Sequence, residues 1–188
     1  PPPPASSAPP APAARPRGPQ MEAAPPEAPG RPRAVTLRLV MERSLTAEEL
    51  AEYNGLSEDD ALARAQALKT LHLEWQNIGE MGGLDLFERA EVLYMQYNSI
   101  ERIENLECLP RLQFLALQGN RIRAVENLLQ LRALEFLDLS RNQVQSLDEQ
   151  ELPPSINMLN LRDNPCTKAF DYAERVQRRL PGLLLLDG

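Results

Sequence analysis

A period of 22 residues constrains this chain more than any other feature. Leu71, Leu93, Leu115, Leu137 and Leu159 follow one another at that interval, and two residues on come Leu73, Met95, Leu117, Leu139 and Leu161. The register continues through Gln76, Asn98, Asn120, Asn142 and Asn164, then Ile78, Ile100, Ile122, Val144 and Cys166. Met81, Ile103, Val125 and Leu147 make a third tier, and Leu84, Leu106 and Leu128 a fourth. The pattern LxxLxLxxNxI thus occurs five times between residues 68 and 166. A unit of this size cannot bury its apolar face alone, so neighbouring units must stack on one another.

The spacing inside the unit says how they stack. An L-x-L step alternates its side chains, which makes a short strand with leucines inward and the residue between them outward. Stacked strands form a parallel sheet on a concave face, and the chain returns through irregular and 3-10 turns on the convex side. Asn98, Asn120, Asn142 and Asn164 carry both a donor and an acceptor, so each can satisfy backbone groups of its own and the adjacent coil. Gln76 departs from this ladder in the first repeat, on an end coil. The expected fold class is α/β: a curved solenoid closed by helical caps.

The ends need closing because terminal coils expose core. "TAEELAEYNG" offers a Thr46–Glu49 capping box and an Asn54-Gly55 stop, and "SEDDALARAQAL" a second helix start at Ser57. Together with the preceding "VTLRLVMERSL", these helices are expected to plug the first coil. After Pro165, Tyr172, Val176 and Leu180 recur at a spacing of four, followed by Pro181 and an apolar strand from Leu183 to Leu186. The expected organisation is a disordered Pro/Ala-rich tail over 1–33, an N-terminal helical cap over 34–67, five repeats over 68–166 and a C-terminal cap over 167–188. Thirteen of the 18 prolines lie in that tail, which has too little apolar surface to offset its ordering entropy. Met21 marks a cleaner beginning, so residues 1–20 read as an upstream extension.

These repeats resemble the leucine-rich repeat family in its short, 22-residue variety. The closing helix and strand are similar to the cap of the group that contains a phosphatase regulator, a spliceosomal repeat protein and an axonemal dynein light chain. The series "IERIENLECLPRLQFLALQGNRIRAVENLLQLRALEFLDLSRNQVQSL", the "LNLRDNPCT" step, "LPGLLLLDG" and the leading "LRLVMERSL" most resemble the ciliary and sperm-flagellar members. That resemblance implies a non-enzymatic structural or assembly protein of the axoneme, with protein partners in a large assembly. The alternatives it implies are a regulatory subunit of a phosphatase or another enzyme, or a dynein-associated assembly factor.

Charge narrows the partners. The tail carries four Arg and two Glu, leaving 16 basic against 25 acidic residues, a net −9 for the remainder. An acidic body argues against nucleic acid or an anionic membrane as the main partner. No apolar run reaches the ~18 residues of a membrane span and no signal peptide is evident, so a cytoplasmic location is expected. Cys108 and Cys166 lack metal or disulfide spacing, and "GEMGG" at 79–83 lacks the lysine of a phosphate loop. His72 can be sketched with Glu74 and Tyr94 into an acid/base set, but no nucleophile motif accompanies it. No catalytic residue, metal site, cofactor or small-molecule substrate is expected. Arg175, Arg178 and Arg179 read either as a solvated helix face or as a docking patch, and the repeated "ENL" at 104–106 and 126–128 as turn chemistry.

What the core does not require is on the concave face. Its outward rows are Thr70, Val92, Phe114, Phe136 and Met158; His72, Tyr94, Ala116, Asp138 and Asn160; and Glu74, Gln96, Gln118, Ser140 and Arg162, bordered by Trp75, Tyr97, Gly119, Arg141 and Asp163. Contiguous exposed apolar surface marks contact sites, and Trp, Tyr and Arg dominate them. The candidate partner-binding residues are therefore Trp75, Val92, Tyr94, Tyr97, Phe114, Phe136, Arg141, Met158 and Arg162, gripping a helix or strand. Packing offers a competing account for the first row, since β-branched and aromatic residues suit strands for their own sake.

Overall fold

The computed structural model describes residues 32–188. The tail expected over 1–33 lies outside them apart from its last two residues, and one of these is built into the body. Arg33 N donates to Asn77 O at 2.8 Å, and the residue forms a parallel bridge with Ile78.

The L-x-L step of each repeat forms a strand: β1 (Thr70–His72), β2 (Val92–Tyr94), β3 (Phe114–Ala116), β4 (Phe136–Asp138) and β5 (Met158–Asn160). With β6 (Leu185–Leu186) they make one six-stranded parallel sheet in sequence order. The register pairs residues 22 apart, Leu71 with Leu93 with Leu115 with Leu137 with Leu159, so the sequence period becomes a column of buried leucines.

Behind the sheet the apolar positions recur every third residue, as in Ile78, Met81, Leu84, Phe87 and Ala90, all buried. Turns with i to i+3 bonds carry this return, including Phe87 N to Leu84 O at 3.0 Å and Ala90 N to Phe87 O at 2.8 Å. The tier Phe87, Leu109 and Leu131 falls outside the consensus read from the sequence, yet each member is fully buried. Successive coils are also tied on this side, by Ser99 N to Ile78 O, Arg121 N to Ile100 O and Gln143 N to Ile122 O, each 2.8 Å.

The ladder of amides forms. Asn98 Oδ1 accepts from Gln76 N and Ile78 N, both at 3.0 Å, while Nδ2 donates to Leu73 O at 2.8 Å and Met95 O at 2.9 Å. Asn120, Asn142 and Asn164 repeat the arrangement, accepting from Ile100, Ile122 and Val144 and donating to carbonyls of two coils. At the end coil Gln76 turns its Nε2 to Glu74 O, 2.8 Å away. Gly83, Asn105 and Asn127, again 22 apart, occupy the left-handed region at φ 73°, 57° and 58°. The "ENL" segments are thus turns, and Asn127 Nδ2 braces one of them on Ile103 O at 2.7 Å.

The N-terminal cap holds one helix more than the two read from the sequence, and the segment before them does most of the plugging. It has three helices, α1 (Leu37–Ser44), α2 (Ala47–Asn54) and α3 (Glu58–Gln66). The plug is α1, from the segment not read as helical: Val40 and Met41 are buried, and Ser44 Oγ accepts from His72 N at 3.0 Å, covering the free edge of β1. The α2 capping box is present, with Thr46 N donating to Glu49 Oε2 at 2.9 Å and Glu49 N to Thr46 Oγ1 at 3.3 Å. However, α2 buries no residue fully and α3 only Ala65.

At the other end α4 (Tyr172–Arg179) buries Tyr172 and Val176, and Leu180 just beyond it is 1% exposed. Burial and then the Asp187 carboxylate keep the Tyr172 hydroxyl protonated far above the ordinary phenol range. Two of the three arginines there belong to neither reading offered for them. Arg175 bonds Leu147 O at 2.9 Å and pairs with Glu149 at 2.6 Å, and Arg179 reaches Glu149 O, Gln150 O and Leu152 O at 3.0, 3.3 and 2.9 Å. They clamp carbonyls of the last turn, and only Arg178, paired with Glu174, is a solvated helix position.

Candidate functional site

Strand register decides which side chains share the open face of the sheet. Val92 pairs with Phe114, Phe114 with Phe136 and Phe136 with Met158, so four predicted residues stand in one row, which Leu185 of β6 extends. The next row begins His72, Tyr94, Ala116, and Ala116 is buried at 3% exposure. An alanine there leaves room for a diagonal, the distance at which aromatic rings still meet across strands.

The rings take that diagonal. His72 stacks on Tyr94 (4.9 Å between centroids, 19° between planes), Tyr94 tilts against Phe114 (5.3 Å, 56°), and Phe114 lies flat on Phe136 (4.2 Å, 3°). Four rings thus cross β1–β4 without a break. Their side chains are half-buried, because each covers part of the next. His72, which the sequence places beside Tyr94 in the outward row, is by its ring geometry the first member of this series.

Trp75 and Tyr97 form a separate stack at the rim, 4.1 Å apart and 16° from parallel. Trp75 is 57% exposed. Both residues are left-handed, at φ 61° and 58°, and so are Gly119 (69°), Arg141 (55°) and Asp163 (62°) at the same position of the later coils. For a bulky side chain that conformation is strained, and only glycine adopts it freely. Tyr97 leans over Gly119, where an added Cβ would come within 2.5 Å of its ring. The pattern escaped the sequence because Trp, Tyr, Gly, Arg and Asp share no chemistry.

The remaining predicted residues lie apart from the rings. Arg141 and Arg162 are exposed on the last two coils, Arg141 Nε 3.7 Å from Asp163 Oδ2. Between the ring diagonal and the rim stack run Glu74, Gln96 and Gln118, with Glu74 Oε2, Gln96 Oε1 and Gln118 Oε1 buried and lacking a hydrogen-bond partner among the described residues. Glu74 Oε1 lies 3.3 Å from His72 Nδ1. Burial pushes the Glu74 carboxyl up, but the His72 bond, its own backbone N–H and the charges of His72 and Arg43 outweigh it and hold it below its ordinary value.

His72, Glu74 and Tyr94 do come together as sketched, with no cysteine beside them. Cys108 and Cys166 are free thiols, and burial raises both above their usual range. Among the described residues no three His, Cys, Asp or Glu side chains are placed to hold a metal, and no helix is long and apolar enough to cross a membrane.

Residues 110–154 match the family described as "Leucine Rich repeats (2 copies)". No curated protein matches the chain at a significant level. The chain is similar to a protein in the crystal structure of the Drosophila melanogaster SNF/U2A' complex, at 28% identity over 63% of this chain and 71% of that one, with a TM-score of 0.58. It is also similar to the internalin C2 of Listeria monocytogenes (25% identity, 70% of this chain, 56% of that one, TM-score 0.54). The internalin inlF of the same organism, at 22% identity over 68% of this chain and 37% of that one, shares the fold (TM-score 0.55). This chain therefore spans little more than half of one internalin and little more than a third of the other. The five coils in register and their asparagine ladder give the chain the leucine-rich repeat fold, and residues 110–154 carry the match to that family.

Proposed function

We propose that the chain is a non-enzymatic interaction protein that grips a helix or strand of a protein partner on the open face of its sheet, within the axoneme of a cilium or flagellum. The observation that carries the binding reading is the unbroken ring series His72–Tyr94–Phe114–Phe136, flanked by a stacked Trp75 and Tyr97 in a conformation their bulk disfavours. Trp75 is 57% exposed, and large rings held open to solvent beside one another mark contact sites. Leucine-rich repeat folds generally mediate protein–protein interaction, and the similar Drosophila structure is itself of a complex, SNF/U2A'. The axonemal setting rests on the resemblance of the repeat series to ciliary and flagellar members.

Phe114 and Phe136 stack on each other, so replacing them disturbs packing as well as surface. Trp75→Ala with Tyr94→Ala also loses ring contacts, but it removes the exposed Trp75 and leaves the Phe114–Phe136 stack in place. The expected outcome is loss of the proteins that co-purify with the native chain from salt-resistant axonemes, with the melting temperature lowered by no more than a few degrees. Retention of every partner by the double variant would overturn the binding face. Co-purification with a soluble phosphatase subunit in place of axonemes would replace the axonemal setting with the enzyme-regulator one.

A further inference from the structure

Between the ring series and the rim stack, the open face carries groups whose chemistry specifies what must meet them. Glu74, Gln96 and Gln118 follow one another at an interval of 22 residues, at one position of three consecutive coils. The coils stay paired beside them, Trp75 N donating to Gln96 O at 3.1 Å and Tyr97 N to Gln118 O at 2.9 Å. The three side chains are therefore set at the strand spacing of about 4.8 Å. Each holds a buried oxygen, Glu74 Oε2, Gln96 Oε1 and Gln118 Oε1, that has no hydrogen-bond partner among the described residues. In the next coil the position is Ser140, short and buried, which ends the row.

A buried acceptor without a donor costs stability, and three in line call for N–H groups from outside the chain. Aromatic rings border the row on both sides, His72 and Tyr94 on one, Trp75 and Tyr97 on the other. A guanidinium suits both features, since its planar fork of N–H donors reaches two neighbouring acceptors and its face stacks on aromatic rings. An ammonium is a compact, strongly hydrated point charge and meets such a row at one place. Arg43 of α1 is the other cation whose charge reaches Glu74. It makes no ion pair among the described residues, and its own Nε is buried without a partner. Arg43 offsets the Glu74 charge from a distance without filling the row, so donors in line, more than net charge, select the ligand.

We infer, on the basis of the binding face proposed above, that the row Glu74–Gln96–Gln118 receives an arginine side chain of the protein partner. The guanidinium edge donates to Glu74 Oε2 and Gln96 Oε1, and Gln118 Oε1 turns toward the same group. All three side chains are only half-buried, and their last torsions are broad and two-fold, so the oxygens rotate outward without breaking a bond within the row.

The test titrates the ¹⁵N-labelled full chain with N-acetyl-arginine amide and, at equal charge, with N-acetyl-lysine amide. The arginine probe is expected to shift the Gln96 and Gln118 side-chain amides and the single indole N–H, that of Trp75, along one saturable curve. The lysine probe should bind at least about tenfold more weakly. Gln96→Met with Gln118→Met removes two acceptors at nearly constant volume. This variant should lose at least about tenfold in affinity for the arginine probe yet melt no lower than the native chain, because an unpartnered acceptor adds nothing to the free fold. Absence of saturable arginine binding, equal affinity for both probes, unchanged affinity in the methionine pair, or a lowered melting temperature would each overturn the arginine site. In the co-purification described above, partners kept by the methionine pair but lost from Trp75→Ala/Tyr94→Ala would overturn the arginine and leave the binding face standing.

Discussion

Asn120 accepts from Ile100 N at 3.1 Å and donates to Met95 O and Leu117 O at 3.0 and 2.9 Å, so one buried amide satisfies three backbone groups on two coils. Asn120→Ala leaves those groups without partners and is expected to lower unfolding free energy by about 1–3 kcal/mol. A urea titration with an unchanged midpoint would refute the ladder. This role was legible in the sequence because only a side chain with both donor and acceptor serves it. Gly83 was not legible, although two facts bear on it: φ is +73°, and an added Cβ would meet Val35 O at 2.6 Å. Gly83→Ala is therefore expected to destabilise by more than the ~1 kcal/mol of a left-handed alanine alone, because the leading segment must also shift. Guanidinium unfolding compared with Gly82→Ala, where a Cβ meets nothing within 4 Å, isolates that effect.

The elements read best were those whose boundaries are set by local chemistry. Thr46 with Glu49 and Ser57 with Asp60 announce α2 and α3, and both caps form. The start of α1 gave no comparable signal: Thr36 caps it, but the third helical residue is Leu39 rather than an acid, and the first turn carries no acidic residue at all. Its helicity comes from burial of Val40 and Met41 against the first coil, a tertiary cause. The apolar spacing announces α4, but the role of its Arg179 has a tertiary cause too, since it lies in carbonyls 27 to 30 residues earlier. Arg179→Ala is expected to cost about 1–3 kcal/mol and to speed hydrogen exchange over Glu149–Leu152. Arg178→Ala, which removes an exposed i,i+4 pair, should stay within about 0.5 kcal/mol of the native chain. Equal losses from the two would refute the clamp.

For the molecule as a whole, the 22-residue period determined the strand order, the register and therefore which side chains share a face. The rows of the candidate site followed from that arithmetic. Their stacking did not, because it depends on Ala116 being small enough for the rings to pass diagonally from one row to the other. Acid stability is a property of the same face. The folded Glu74 carboxyl titrates below its ordinary 4.5, so folded chain binds fewer protons than unfolded chain between the two values. Its contribution is complete above about pH 4.5 and is lost as pH falls through the folded value. Glu74→Gln should therefore be less stable than the native chain at neutral pH, with the gap closing on acidification; a gap that widens toward pH 3 would contradict the assignment.

The left-handed rim position has one more implication. Trp75, Tyr97, Gly119, Arg141 and Asp163 adopt nearly the same backbone angle although nothing else unites them, so the coil and not the side chain dictates the bend. Four of these five sites can then change identity while the scaffold stands unaltered, Gly119 staying small beneath the Tyr97 ring, with Val, Ile and Thr excluded because a branched Cβ resists that angle and proline because its ring fixes φ negative. Along this edge a solenoid can exchange one ligand preference for another by substitution alone, in an alphabet from which four letters are missing.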